Sequence, residues 1–278
     1  MKIAIQGEPG SFSHEAAIKL VPGAKIMPCA LSVDVFAALD AQNADAAAIP
    51  IENSLAGSVL EHFDLLLTHE VKVVRETLLR IRHNLIVIPG GSIEDVDRVY
   101  SHPIALAQCR RFLAAHGKMR PIAFYDTAGS VKQLVEQGDR HAAAIASEAA
   151  AKAYGAQVLA ESIEDNAENY TRFFLVLRSG EAGTDREASN RGANKLSIAF
   201  SLENRPGSLV AALSALAAQG TNLTKIESRP VQGKPWEYIF YVDCQIGSPE
   251  DSARALDALR AHCGMVKELG RYREARGA

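Results

Sequence analysis

Cysteine is scarce in this chain, and its few cysteines lie far apart. Cys29, Cys109, Cys244 and Cys263 form no Cys-x-x-Cys pair, which argues against a disulfide framework and the usual zinc motifs. The eight histidines include no His-Glu-x-x-His segment and no pair at i,i+4 spacing. The sequence therefore predicts buried free thiols and no metal site.

Long apolar runs and an excess of one charge are also missing. No stretch comes near the roughly 18 apolar residues that would predict a membrane span, and the first residues show no signal-peptide pattern. The 30 Lys and Arg nearly balance the 33 Asp and Glu, for a formal net charge of −3. Such a balance gives no sign of a basic surface for a nucleic acid. We therefore expect a cytoplasmic protein with neither a membrane nor a nucleic-acid partner.

The 278 residues do contain the alternation that is typical of an α/β fold, at a length that predicts about two domains. Up to residue 178, short β-branched runs alternate with helical patterns, which indicates mostly parallel sheets with crossover helices. The predicted strands are 2–6, 46–49, 71–79, 84–88, 96–100, 122–125, 142–146 and 173–177. The predicted helices are 13–20, 33–41, 54–69, 104–116, 128–137 and 147–154. These elements suffice for two α/β lobes, roughly 1–77 plus 160–178, and 78–159.

A polar segment separates this α/β region from a second region. Residues 179–194 are rich in Gly, Ser and charged side chains, which predicts an exposed linker. Beyond it, residues 195–278 follow the order βαββαβ, the ferredoxin-like pattern. The small size and the edge strands of this region favour pairing with further copies, so we expect a homodimer or homotetramer.

Several turns from strand to helix carry polar residues that suit an anion. Residues 7–14 (GEPGSFSH) place two glycines before a helix, but they lack the third glycine of a dinucleotide fingerprint and the lysine of a P-loop. In residues 50–57 (PIENSLAG), Asn53 is either a helix N-cap or, with Ser54, a contact for a carboxylate. Position alone makes these two interpretations about equal.

Two more such turns and one cationic cluster follow. Ser101 and Thr127 each stand where a strand gives way to a helix, and Gln108 lies one to two turns into the first of these helices. Arg172 directly precedes the apolar run that begins at Phe173, and either pairs bidentately with a carboxylate or forms a surface ion pair. Together these residues predict a small, multiply anionic ligand that is bound without a cofactor, by an enzyme or by a binding protein.

In this order and at this spacing, the segments resemble those of prephenate dehydratases. The matching peptides are GEPGSFSH at 7–14, PIENSLAG at 50–57, SHPIALAQC at 101–109, DTA at 126–128 and NYTRF at 169–173. The second region resembles the ACT regulatory domain of the same enzymes, through NRPGSLVAAL at 204–213, NLTKIESRP at 222–230 and WEYIFYVD at 236–243. The resemblance implies a catalytic domain over 1–178, with two lobes like those of periplasmic binding proteins, and an ACT domain over 195–278.

The resemblance also implies a reaction and its residues. Prephenate would lose carbon dioxide and water to give phenylpyruvate for phenylalanine synthesis, without a cofactor. The residues implied in catalysis are Thr171, Asn53 and Gln108, and those implied in substrate binding are Ser54, Ser101, Thr127, Arg172 and Phe173. Thr171 would hydrogen-bond the departing hydroxyl. Helix N-termini at 53–54 and at Thr127, together with Arg172, would hold the two carboxylates.

Phenylalanine is the implied effector, bound between paired ACT domains. Its implied site comprises Gly207, Ser208, Leu209, Val210, Asn222, Glu227, Ser228, Arg229 and Pro230. Two positions depart from the family pattern, since Ile104 stands where Gln is usual and Ser208 where Ala is usual. Two alternatives stay open: an arogenate dehydratase, whose substrate carries an amino group in place of the keto oxygen, and a non-catalytic carboxylate sensor.

Overall fold

Backbone contacts in the computed structural model, which describes residues 1–180, 192–231 and 236–275, form two units. One unit comprises Met1–Val59 and Thr77–Phe173, and the other comprises Leu60–Glu76 and Phe174–Ala278. The domain boundaries inferred from sequence, at 178 and 195, stay a prediction. Residues 181–191 of the predicted linker lie outside the described residues.

Three parallel strands begin the first unit. β1 (Lys2–Gln6) lies between β2 (Lys25–Cys29) and β3 (Ala46–Asn53), and the connections contain α1 (Phe12–Leu20) and α2 (Ser32–Asp40). Residues 3–5 of β1 and 46–49 of β3 are fully buried, as expected for strands that are covered on both faces. β11 (Tyr170–Arg178) follows on the other side of β3, so the first residues of β11 lie near the polar end of β3.

A second sheet of the first unit supplies the remaining site residues. Its strand order is β10 (Gln157–Ala160), β6 (Asn84–Val87), β9 (Ala142–Ala146), β7 (Arg98–Ser101) and β8 (Arg120–Ala123). The helices α4 (Pro103–Gln108) and α5 (Arg110–Ala115) pack in one apolar cluster, and α6 (Thr127–Gln137) and α7 (Glu148–Tyr154) pack in another. All residues of β9 are buried because this central strand contributes to both clusters.

The second unit contains α3 (Leu60–Thr68), the first part of β5 (Val71–Arg80) and the C-terminal elements. These are β12 (Lys195–Ser201), α8 (Ser208–Ala218), β13 (Asn222–Pro230), β14 (Tyr238–Gln245), α9 (Pro249–Arg260) and β15 (Met265–Tyr272). The four strands β13, β14, β12 and β15 pair antiparallel in that order. On one face, α8 and α9 form the apolar core. On the other face, Phe63 of α3 packs on Tyr241, with ring centroids 4.9 Å apart.

The α/β class and the βαββαβ order are confirmed, while two predicted helices need correction. The helix predicted over 54–69 begins only at Leu60, because β4 (Gly57–Ser58) first turns back to pair with β3. Gly57 adopts the positive φ of 84° that this return uses. The helix predicted over 104–116 is two short helices that meet at Cys109. The strands β2 and β10 were not predicted; β2 contains Pro28 and lacks an apolar alternation.

Candidate active site

Asn53 ends β3, and its side chain turns the chain that follows. Its Oδ1 accepts hydrogen bonds from the backbone N–H groups of Leu55 (3.0 Å) and Ala56 (2.8 Å). This is a local turn made by an asparagine side chain, and α3 starts only later, at Leu60. The helix N-terminus predicted at 53–54 is therefore wrong. The N–H groups that it was expected to offer to a carboxylate are bonded within the protein instead.

The amide nitrogen of Asn53 is thereby directed toward β11. Nδ2 lies 2.9 Å from Thr171 Oγ1, 2.8 Å from Asn169 Oδ1 and 3.2 Å from the carbonyl oxygen of Tyr170. An amide nitrogen only donates, so Thr171 Oγ1 accepts in this contact. Thr171 is 8% exposed, and among the described residues its own hydroxyl proton has no acceptor. Asn53 thus holds a hydroxyl whose proton is available to a ligand.

Gln108, the last residue of α4, joins this group through Asn169. Its Oε1 lies 2.9 Å from Asn169 Nδ2 and 2.9 Å from His83 Nε2. Asn169 is fully buried and His83 nearly so. The structure thus links the three residues with predicted catalytic roles in one hydrogen-bonded set. We call its members, His83, Gln108, Asn169, Asn53 and Thr171, the amide network.

Sequence reasoning assigned no role to Asn169 or His83. Asn169 had one signal, because it opens the segment NYTRF that also contains Thr171. His83 had none, since a lone histidine in front of an apolar run is typical of an ordinary core residue. Only the fold brings the loop that carries His83 to the end of α4.

Two predicted substrate-binding hydroxyls are bonded to the backbone. Ser54 Oγ donates to the carbonyl oxygen of Glu168 (2.8 Å) and accepts from the N–H of Tyr170 (3.0 Å). Ser101 is fully buried, and its Oγ donates to the carbonyl oxygen of Ile145 (2.6 Å). Both serines join neighbouring segments of the first unit, and their contact with a substrate stays a prediction.

Arg172 and Phe173 continue β11 into the apolar interior. Arg172 is 8% exposed, and its Nη1 lies 3.9 Å from Glu52 Oε2 on β3. Arg172 thus pairs with a carboxylate of the chain itself, on a side chain that is 36% exposed, and its contact with a substrate carboxylate stays a prediction. Phe173 is buried in the strand, with 2% of its surface exposed.

A second polar cluster forms around Glu8, in the turn after β1. The Glu8 N–H donates to Asp126 Oδ2 (3.0 Å), and the Glu8 carboxylate lies 3.2 Å from Lys132 Nζ. The hydroxyls of Tyr125 and Tyr154 lie 3.4 Å and 3.5 Å from this carboxylate. Burial, and then the charge of Glu8, raises the pKa of both tyrosines, so both stay protonated donors.

Two of the predicted site residues, Thr127 and Gln108, line separate cavities of the first unit. A cavity of about 500 Å³ is lined by residues of the 7–14 turn, His102 and Thr127. A cavity of about 490 Å³ is lined by Gln108 with Leu55, Arg110 and Arg111, among others. Among the described residues, no hydrogen bond joins Thr127 to the amide network.

The predicted effector residues lie at two places in the second unit, the start of helix α8 and the edge strand β13. Gly207, with φ of 82°, caps α8, and Ser208, Leu209 and Val210 form the first turn of that helix. Asn222 and Pro230 bound the edge strand β13, whose residues alternate between half-buried and exposed. The half-buried Glu227 and Arg229 face α3, where the Arg229 guanidinium binds the Asp64 carboxylate through Nε (3.2 Å) and Nη2. Ser228 is exposed on the opposite face.

Metal clusters and membrane helices are not found in the part of the chain that the structure describes. Its His, Cys, Asp and Glu side chains form no group of three that could hold a metal ion. Its helices are all too short or too polar to cross a membrane.

Comparison with known proteins finds relatives that are similar to this chain over most of its length, not at the site alone. A model of the prephenate dehydratase family matches residues 3–181, and a model of the ACT domain matches residues 196–263. A protein of Arabidopsis thaliana named arogenate dehydratase/prephenate dehydratase 2, chloroplastic, is 40% identical over 98% of this chain and 72% of its own length.

Two solved structures are similar over nearly the whole chain. A prephenate dehydratase from Arthrobacter aurescens in complex with L-Phe is 33% identical, with a TM-score of 0.88 over 99% of this chain and 90% of its own. A protein described as GqqA, a novel type of quorum quenching acylase, is 32% identical, with a TM-score of 0.89 over 99% of this chain and 98% of its own. The family model covers more than half of this chain and the plant relative supports it, so the chain belongs to the prephenate dehydratase family and carries a C-terminal ACT domain.

Proposed function

We propose that this chain converts prephenate into phenylpyruvate, carbon dioxide and water without a cofactor, and that phenylalanine regulates this reaction through the ACT domain. The observation that carries the proposal is the 2.9 Å contact between Asn53 Nδ2 and Thr171 Oγ1, which leaves the Thr171 proton available to a substrate. The match of the family model to residues 3–181 supports the same reaction.

The reaction requires a site that orients the substrate dianion and stabilises the hydroxide as it leaves. The bond between the ring carbon and its carboxylate breaks, its electron pair enters the ring, and the ring hydroxyl takes up one proton and leaves as water. Formation of the aromatic ring drives these steps, so stabilising the departing oxygen is the main chemical task. In this proposal the Thr171 hydroxyl donates to that oxygen, and the proton that is consumed comes from solvent.

Asn53 makes Thr171 a better donor. By donating to Oγ1, the amide nitrogen polarises the Thr171 O–H bond, since hydrogen bonds in a chain strengthen one another. A threonine hydroxyl is a poor acid at neutral pH. Hydrogen bonding to the departing oxygen is therefore the role that we assign to it, ahead of full proton transfer.

The substrate carboxylates need cations or free donors. Arg172, on the strand β11 that lies two strands away from β1, supplies a nearly buried guanidinium. Gln108 supplies an amide nitrogen that has no acceptor among the described residues. Thr127 stands in the first turn of α6, where the helix N-terminus favours an anion. We propose that Arg172 and Gln108 bind one carboxylate, and that Thr127, which lines a different cavity from Gln108, binds the other.

Arogenate is the competing substrate, because the Arabidopsis thaliana relative is named for both arogenate and prephenate. The similarity to the quorum quenching acylase is comparable in extent to that with the dehydratase. Nucleophilic acyl transfer requires a base within hydrogen-bond reach of the nucleophile. Among the described residues Thr171 Oγ1 contacts only the Asn53 amide, so the site favours a dehydratase over an acylase that uses Thr171.

The location and assembly of the protein belong to the same proposal. We expect a cytoplasmic homodimer or homotetramer that pairs through the ACT domains and binds phenylalanine between them. The edge position of β13, with exposed residues at alternate places, supports this pairing. Light scattering coupled to gel filtration tests it, and a monomer at all concentrations contradicts it.

One assay tests the activity. Purified protein is incubated separately with prephenate and with arogenate, next to enzyme-free controls, and phenylpyruvate and phenylalanine are measured. We expect phenylpyruvate from prephenate. Phenylalanine from arogenate alone identifies an arogenate dehydratase, and binding of either substrate without product identifies the carboxylate sensor.

A further inference from the structure

The orientation of every side-chain amide in the amide network follows from two backbone N–H groups. Because Leu55 and Ala56 donate to Asn53 Oδ1, the other end of that amide must be the NH₂ group. It faces the Asn169 side chain, which must therefore present its oxygen to Asn53 and its NH₂ group to Gln108.

The orientation of the Gln108 amide, and then the position of the His83 proton, follow in the same way. Gln108 receives the NH₂ group of Asn169, so the Gln108 atom at this contact is the oxygen Oε1. An amide oxygen only accepts, so His83 Nε2, 2.9 Å away, must carry a proton and donate it. Of the two neutral tautomers of the imidazole, only the one with Nε2 protonated and Nδ1 bare fits this contact.

The surroundings of His83 agree with a neutral ring. His83 is 2% exposed, and its Nδ1 is buried without a hydrogen-bond partner among the described residues. A proton on Nδ1 would have no acceptor there, which makes the charged form costly. Consistent with this, burial lowers the pKa of His83.

We propose that His83 is a positioning residue for the reaction, which holds the Gln108 amide with its oxygen inward and its NH₂ group toward the cavity that Gln108 lines. This proposal rests on the proposed function for its effect on the rate, but the arrangement itself stands independently of it. Asn169 alone gives Oε1 one donor, and His83 supplies the second. With both donors in place, a flip of the Gln108 amide would set its NH₂ group against two N–H groups, so only one orientation persists.

The ring of His83 also packs against Phe12, and this contact is the competing explanation for any effect of its replacement. The two rings lie edge to face, with centroids 5.6 Å apart. Two substitutions separate the roles. His83→Phe keeps an aromatic ring and removes the donor, whereas His83→Gln removes the ring and keeps an N–H donor at about the reach of Nε2.

Nuclear magnetic resonance tests the arrangement without any substrate. Long-range correlations between nitrogen and ring protons, in protein labelled with ¹⁵N-histidine, distinguish the two neutral tautomers and the imidazolium. The signal that disappears in His83→Gln belongs to His83. We expect the tautomer protonated on Nε2 at pH 7. A proton on Nδ1, in either the other tautomer or the imidazolium, overturns the proposal.

Kinetics test the consequence. We expect His83→Phe to lower kcat/KM roughly three- to tenfold, the effect of one lost net hydrogen bond, and His83→Gln to stay within about twofold of wild type. Because the effect is transmitted by Gln108, His83→Phe should cost little further activity in a Gln108→Ala background. His116→Phe serves as the matched control, since His116 is a partly buried histidine whose Nδ1 lies 2.8 Å from the carbonyl oxygen of Phe112, outside the amide network.

The outcomes separate the inference from the function. Wild-type activity in His83→Phe, an equal loss in both His83 variants, or a loss that adds fully to that of Gln108→Ala overturns the positioning role. Rates are referred to the folded fraction from thermal melts, so a stability defect is not counted as a catalytic one. If the wild-type chain acts on neither prephenate nor arogenate, the proposed function fails, and the resonance experiment still decides the arrangement.

Discussion

At the scale of single residues, what a hydroxyl can do depends on which of its bonds the fold already uses. Ser54 Oγ both donates to and accepts from the backbone, and Ser101 Oγ donates to Ile145. Within the described part of the chain, Thr171 Oγ1 takes part in one hydrogen bond, which it accepts from Asn53. In the sequence all three hydroxyls stand close to predicted strands. The pattern could not show which hydroxyl keeps a free proton, because their hydrogen-bond partners are distant in the chain. The sequence did indicate a functional residue where several motif residues are adjacent, as in NYTRF around Thr171.

Replacement of Thr171 therefore tests the chemistry. Thr171→Val keeps the β-branched shape that suits a buried strand and removes the hydroxyl. We expect kcat for prephenate to fall roughly 100-fold or more with a small change in KM, since the lost interaction acts on the leaving oxygen. Steady-state kinetics with folded protein make the measurement.

Thr171→Ser is the matched control, because it restores the hydroxyl without the methyl group. It should retain kcat within about tenfold of wild type. If Thr171→Val turns over prephenate as fast as the wild type, the assignment of Thr171 is wrong.

At the scale of elements, the strands and helices with dense apolar patterns were predictable, and the turns between them were not. The predicted strand over 142–146 is β9 to the residue, because every position is apolar and buried. The helix predicted over 54–69 was six residues too long at its start, because Asn53 and Gly57 instead turn the chain back onto β3. That return depends on side-chain bonds to the backbone, which a hydrophobic pattern does not encode.

The turn after β1 gives a prediction at this scale. Gly10 has a φ of 85°, and a Cβ placed there would lie 2.5 Å from Ala150 Cα and 2.8 Å from Ala150 N, in α7. Both atoms belong to backbone that is also tied to this turn by the bond from Ser147 Oγ to the Gly10 carbonyl oxygen (2.6 Å). We expect Gly10→Ala to lower the free energy of unfolding by about 2–4 kcal/mol, through overlap and strain together.

Gly23→Ala controls for the strain alone. Gly23 has a similar φ of 77°, but nothing lies within 4 Å of the added Cβ. Urea denaturation of both variants should show a loss of only about 1 kcal/mol for Gly23→Ala. Equal losses in the two variants would mean that the turn moves away from α7 at little cost.

At the scale of the whole molecule, phenylalanine binding should stabilise the folded chain. A ligand that binds only the native state adds about 2.7 kcal/mol to the free energy of unfolding at 100 times its dissociation constant. The L-Phe complex of the Arthrobacter aurescens dehydratase supports this expectation. We expect L-phenylalanine to raise the melting temperature and to inhibit turnover, and D-phenylalanine to do much less. Failure of L-phenylalanine to do either, measured by calorimetry and by the prephenate assay, removes the regulatory proposal.

The stability of the whole molecule should also depend on pH through one buried and two half-buried histidines. Burial lowers the pKa of His14, His83 and His102 below the usual 6.5. As the pH falls through 6.5, the unfolded chain therefore takes up protons that the folded chain still refuses. The free energy of unfolding therefore falls as the pH drops from about 6.5 to the lowered pKa values of the folded histidines. Above about pH 6.5 these histidines are neutral in both states and cause no such loss.

We therefore expect the free energy of unfolding to decrease between pH 7 and pH 5.5, and to decrease less in His83→Gln than in the wild type. One histidine contributes at most about 1.4 kcal/mol per pH unit, so the difference between the two slopes measures His83 alone. Urea denaturation at several pH values, with His116→Gln as a control for loss of a histidine, gives both slopes. Burial raises the pKa of Glu15, which acts in the opposite sense but equally in both proteins and so leaves the difference intact. Equal slopes in wild type and His83→Gln would mean that the His83 ring accepts a proton in the folded state as readily as in the unfolded chain. The folded protein would then not favour the neutral tautomer that orients Gln108.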